Sequence, residues 1–112
     1  SDLKAPSWAQ SWKMAREAES KFLQVGGKSG DILMVNNPPG YTTATGRSTI
    51  VIPDAEPADI LAAGERYGAD YLLLEPDHVR SLGNLYDQPD SEAGFKPIYQ
   101  DERIRILRIA NQ

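Results

Sequence analysis

Three runs constrain this chain more than any other feature: the unbroken apolar Ile32-Leu33-Met34-Val35 and Tyr71 to Leu74, and Ser48 to Ile52, apolar from Ile50. A strand with one wet face alternates apolar and polar residues. A strand that is apolar throughout has both faces covered, which marks the interior of a parallel α/β sheet. Between the second and third runs lies Pro57 to Tyr67, with Pro57, Ile60, Leu61, Gly64 and Tyr67 on one helical stripe. Asp54 or Glu56 begins that helix and Gly68 ends it. Gly64 on the buried stripe brings the helix backbone close to the sheet, at about 1 kcal/mol of helix propensity relative to Ala. Strand, helix and strand form a βαβ unit, for which a right-handed crossover is expected.

A leading helix is expected from Trp8 to Gln24, capped by Ser7 and stopped by Gly26-Gly27. Trp8, Trp12, Ala15 and Phe22 share one face, with Leu23 at its edge and Glu19 among them. Lys13, Glu17 and Lys21 form an i,i+4 ladder on the opposite side. The plainer expectation is that both indoles pack on the domain's own sheet. The sharper one is that they face a membrane surface or a neighbouring domain, because tryptophan suits an apolar–polar boundary.

The link Asn36 to Arg47 has room for one or two helical turns, from about Pro39 to Thr45. After the third run, Val79 to Leu82 reads as a short helix and Gly83 to Gly94 as an exposed loop. Phe95 to Gln100 and Arg103 to Ile109 read as a hairpin turning at Asp101-Glu102. The last strand alternates apolar residues with Arg103, Arg105 and Arg108, the pattern of a protected sheet edge. The expected fold is therefore α/β. It is a three-layer α/β/α sandwich on a mainly parallel sheet of about five strands, with the C-terminal hairpin at one edge. At 112 residues the chain is one domain, with a connector helix over 1–26 and an α/β core over 31–109.

Composition removes several functions. The formal charge is −4 and no basic run exists, so nucleic acid is not expected as a partner. Absence of cysteine excludes disulfides and thiolate chemistry, and a single histidine forces any triad or histidine-ligated metal through His78. No apolar stretch reaches the length of a membrane span. The chain opens Ser1-Asp2-Leu3 without an initiator methionine, as a processed or trimmed product would. Gly26-Gly27-Lys28-Ser29-Gly30 resembles a phosphate-binding loop only superficially. Phe22 stands where the loop's first glycine belongs, and the segment joins a helix to a strand instead of the reverse. No G-x-G-x-x-G occurs. A phosphoacceptor receiver domain needs acidic residues after the first strand, where this chain has Asn36-Asn37-Pro38.

Ligands of open α/β sheets bind beyond the strands' carboxyl ends. Here those ends carry Asn36-Asn37, Pro53-Asp54 and Glu75-Pro76-Asp77-His78. Asp54, Glu75, Asp77 and His78 are residue types suited to hydrolytic or metal chemistry. The plainer reading makes Asp54 a helix cap and Asp77 the cap of the short helix. Asn37-Pro38-Pro39-Gly40-Tyr41 through Thr45-Gly46-Arg47 is the most unusual segment: a stiff loop offering Asn37, Tyr41, Thr45 and Arg47 to a polar ligand, or simply a rigid turn. Either X-Pro bond in it is a candidate for the cis form. These residues form the candidate ligand-binding set; no catalytic residue, metal ligand or cofactor is assigned.

The same segments, in order, carry a resemblance. They are Asn37-Pro38-Pro39-Gly40-Tyr41, Thr45-Gly46-Arg47, Val51-Ile52-Pro53, Arg66 through Glu75, Leu85-Tyr86 and Ile104 through Ile109. Together they resemble the carboxy-terminal soluble domain of polytopic bacterial membrane glycosyltransferases. That group is similar to dolichyl-phosphate-mannose–protein mannosyltransferases and lipid-A aminoarabinose transferases. The resemblance implies a parent that moves a sugar from a polyprenyl-phosphate donor to an acceptor on the extracytoplasmic face of the cell membrane. It implies as partners the membrane-embedded catalytic part of the same polypeptide, the acceptor, and a membrane surface met through Trp8 and Trp12. Catalysis then belongs to the membrane part, and this domain is accessory. The family is often aromatic after Pro-Pro-Gly, whereas Thr42, Thr43 and Ala44 follow Tyr41 here, so no sugar-stacking role is carried over. The alternative is a free-standing ligand-binding module that uses the carboxyl-end loops.

Overall fold

The computed structural model describes residues 7–110. Helix α1 spans Ser7–Gln24, β1 Ile32–Val35, α2 Pro38–Thr45, β2 Thr49–Val51, α3 Pro57–Tyr67 and β3 Ala69–Leu74. A 3-10 turn, Arg80–Leu82, leads into α4, Gly83–Asp87, followed by β4 Phe95–Gln100 and β5 Arg105–Ile109. The strands form one sheet in the order β2-β1-β3-β5-β4. β1 pairs in parallel with β2 and β3, while β5 runs antiparallel to both β3 and β4, so four strands share one direction and β5 opposes them.

The continuous apolar runs have their cause in two cores, one on each face of the sheet. Leu33, Val35, Leu73 and Ile106 meet α1 and α2 through Ala15, Ala18, Phe22 and Tyr41. Met34, Leu72, Leu74, Leu107 and Ile109 meet the other layer through Ile60, Leu82 and Leu85. Alternate residues of β1 and β3 therefore enter different cores. The Ser48 to Ile52 run is not interior as expected, because β2 is an edge strand with one neighbour and its Val51 is 56% exposed. From β1 to β2 the chain moves one place along the sheet with α2 on one face. From β2 to β3 it moves back past β1 with α3 on the other face. Opposite steps on opposite faces give both crossovers the same hand, as the right-handed rule requires. The reversal leaves a topological switch point between β1 and β3.

Gly64 behaves as its position in the stripe predicts. A Cβ there would lie 2.7 Å from the Ala69 carbonyl oxygen, so only glycine lets α3 come this close to β3. Gly46 and Gly68 close α2 and α3 in the left-handed region, at φ 78° and 69°.

Several expectations need correction. Ser7 is already helical, so the cap of α1 falls outside the described residues. Trp8 does not pack on the sheet: it is 56% exposed, and its ring lies edge-on, at 4.9 Å, to that of Trp12, which is half-buried. The buried stripe of α1 is Ala15, Ala18 and Phe22, and Leu23 is exposed. Tyr67 is exposed too, beneath the Arg66 guanidinium. Glu56, not Asp54, stands at the N-cap of α3, and it makes no side-chain cap bond. Val79, not Asp77, precedes the 3-10 turn. The expected loop from Gly83 is helical to Asp87, because Leu85 fills the core on the α3 face of the sheet. The last strand is interior; β2 is one edge of the sheet and β4, on that side, the other. Lys96, Pro97 and a register shift between Pro97 and Tyr99 blunt that edge. No described peptide bond is cis.

Candidate switch-point crevice

α1 runs back over β1, so its leading half covers the sheet's carboxyl edge. A small crevice of about 90 Å³ opens there, lined by Ser11, Met14 and Ala15 of α1, Val35, Asn36, Asn37, Gly40, Tyr41 and Glu75. It lies between the ends of β1 and β3, at the switch point. Trp8 and Trp12 sit one to two turns before and beside these lining residues of α1, at the same pole of the molecule.

Glu75 follows Leu74 and by strand alternation turns toward the α1 side. Its Oε2 accepts from Asn36 Nδ2 at 3.4 Å, and the same amide donates to the Asp77 carbonyl. Burial pushes the Glu75 carboxyl upward, the Asn36 amide opposes this, and the charge of Asp77 adds to the rise. Among the described residues Glu75 has no ion-pair partner. Asn37 caps α2: its Oδ1 accepts from Gly40 N at 3.2 Å, and its own carbonyl accepts from Tyr41 N at 3.0 Å.

The other candidates are committed to the fold. Arg47 is 4% exposed and faces inward. Its Nε and Nη2 donate to the two Glu19 oxygens, both at 2.7 Å, and Nη1 donates to the Lys28 and Asp31 carbonyls at 2.8 and 2.7 Å. The guanidinium also lies over the Phe22 ring at 4.7 Å. The Tyr41 hydroxyl donates to Glu19 at 3.1 Å, and burial first, then the Glu19 charge, hold that hydroxyl protonated. Thr45 Oγ1 donates to the Tyr41 carbonyl and accepts from Arg47 N, closing the end of α2. Sequence reading missed Glu19. The available signal was a carboxylate on an otherwise apolar helix face, which requires a buried cation elsewhere in the chain.

Asp54 is exposed beyond β2, apart from the crevice. His78 is turned to the other face of the sheet: its Nδ1 meets the Glu75 carbonyl at 2.8 Å and its ring stacks on Tyr86 at 4.4 Å. The Arg105 guanidinium also lies over Tyr86, at 4.3 Å, and its Nε donates to the Tyr86 carbonyl. Thus Asp54, Glu75, Asp77 and His78 are neighbours in topology without converging on one point. Among the described residues no three His, Cys, Asp or Glu side chains gather as a metal site. No described helix is long and apolar enough to cross a membrane.

No protein-family model, curated protein or solved structure matches this chain.

Proposed function

We propose that this chain is the extracytoplasmic accessory domain of a membrane glycosyltransferase, seated with its leading pole on the bilayer. The parent moves a sugar from a polyprenyl-phosphate donor to an acceptor, and this domain borders the mouth of the membrane-embedded catalytic part. The observation that carries the reading is the placement of the Trp8–Trp12 pair. Exposed Trp8 and half-buried Trp12, in edge contact, stand at the pole that also holds the switch-point crevice. Indoles favour the headgroup level of a bilayer, where an apolar body and a polar N–H are both accommodated. Seated that way, the crevice opens toward the membrane surface. The ordered segments from Asn37 to Ile109 that resemble this glycosyltransferase group supply the rest of the argument.

The direct test is the coding sequence upstream of Ser1. The proposal expects several apolar stretches of about 20 residues each, the length of membrane-spanning helices, continuous with this reading frame. An upstream region without such stretches overturns it.

A further inference from the structure

Switch points of α/β sheets ordinarily receive phosphate, because a helix begins there and offers unpaired N–H groups to an anion. This one has been disarmed. The first two residues of α2 are Pro38 and Pro39, which have no N–H to offer. The next two donors are spent: Gly40 N on the Asn37 side chain and Tyr41 N on the Asn37 carbonyl. The lining contains no cation, and the nearby guanidinium of Arg47 is turned away onto Glu19. A carboxylate, Glu75, stands in the crevice with Asp77 close by. Phosphate would meet negative charge with no cation in the lining and no free N–H in the first turn of α2, leaving only neutral side-chain donors to answer it.

The groups that remain form a mixed set. Glu75 supplies acceptor oxygens. Asn36 has its amide N–H groups directed at Glu75 and Asp77, which leaves its Oδ1 as an acceptor. Asn37 has its Oδ1 on Gly40 N, which leaves its Nδ2 as a donor. Gly40 makes this possible, since a Cβ there would come within 2.5 Å of Asn37 Nδ2. An ammonium group only donates and would leave the Asn37 amide unanswered. A hydroxyl both donates and accepts, and two adjacent hydroxyls can serve the carboxylate and the amide together. The crevice, at about 90 Å³, is well below the roughly 300–1,000 Å³ of pockets that enclose a ligand, so it takes an edge and not a whole molecule.

We propose that the crevice binds adjacent hydroxyls at the edge of an uncharged polyol, with Glu75 accepting and the Asn37 amide donating, and that it discriminates against phosphate. This goes beyond the membrane reading and does not rest on it: the chemistry holds whether or not the chain has a membrane-embedded parent.

The test is a side-chain amide NMR titration of the full chain with methyl glucoside, myo-inositol, ethylammonium and inorganic phosphate as separate probes. The two polyols are expected to shift the Asn36 and Asn37 amide pairs saturably, and ethylammonium and phosphate to leave them in place. Glu75→Gln removes the charge while keeping the shape, and is expected to weaken polyol binding by about tenfold. Gly40→Ala keeps a helix-compatible backbone but crowds the Asn37 amide, and is expected to abolish the shifts while the remaining spectrum stays dispersed. Saturable shifts with phosphate or ethylammonium, no saturable shift with either polyol, or full polyol affinity in both variants would each overturn the proposal.

Discussion

Removing the Arg47 guanidinium tests how α1 is fastened to the sheet. Arg47→Ala strands the Glu19 carboxylate, whose side chain is only 15% exposed, and takes the donor from the Lys28 and Asp31 carbonyls. Breaking a buried ion pair from one side costs about 3–5 kcal/mol. Glu19 keeps some solvent and the Tyr41 hydroxyl, so the lower end applies, about 3 kcal/mol. Domains of this size are stable by only about 5–15 kcal/mol, so the loss is a large share. Urea unfolding followed by far-UV circular dichroism should show a midpoint lowered by on the order of 1–2 M with an unchanged slope. The paired change Arg47→Met with Glu19→Leu leaves no stranded charge and should recover most of the loss. A loss below about 1 kcal/mol for Arg47→Ala, the value of an exposed ion pair, would refute the buried-staple account.

Gly64→Ala gains about 1 kcal/mol in helix propensity but drives a methyl into the Ala69 carbonyl, and overpacking of that kind costs about 1–3 kcal/mol, so thermal unfolding should show a net loss. The raised Glu75 carboxyl means the native state holds its proton more readily than the unfolded chain, so this group's contribution to stability falls as pH rises through the interval between the ordinary glutamate value and the raised one. Glu75→Gln should remove that fall; wild-type and variant urea midpoints that stay parallel across pH would contradict it. Asp101 is subject to burial, which raises its carboxyl, but the N–H groups of Ile104 and Arg103 with the Tyr99 hydroxyl outweigh this and hold it low. Asp101→Ala should loosen the β4–β5 turn at a cost of about 1 kcal/mol, read as faster amide exchange at Arg103 and Ile104.

The sheet was legible in the sequence because burial on both faces writes itself as unbroken apolarity, as in Ile32 to Val35. Gly64 was legible because a glycine on a buried helical stripe has few other purposes. The edge was misread because Arg103, Arg105 and Arg108 alternate as edge residues do. In the fold, Arg105 instead turns its guanidinium back onto Tyr86 and Arg108 is exposed while its neighbours Leu107 and Ile109 are buried, so the strand stays interior. Of the candidate site, the place of Asn37 and Glu75 at strand carboxyl ends was readable from where the apolar runs stop, but the switch point between β1 and β3 was not, because order along the chain does not give order across the sheet. The inward commitment of Arg47 was not. It depends on Glu19, 28 positions earlier, and such a pairing leaves no periodic trace. Which of the two indoles is exposed was equally hidden, because helical spacing assigns a face but not how far a helix overhangs the sheet: Trp8 is 56% exposed and Trp12 half-buried.

Trp8 and Trp12 are the only tryptophans in the chain, so indole fluorescence reports this pole alone. The chain also has no cysteine, and a single one added ahead of Ser1 can be coupled to a reactive lipid in phosphatidylcholine vesicles, holding the domain at the surface as a preceding membrane helix would. The account predicts a blue-shifted emission quenched by bromine-labelled acyl chains. Emission that keeps its aqueous wavelength, is untouched by the brominated lipid and remains open to aqueous quenchers would contradict the membrane-facing pole.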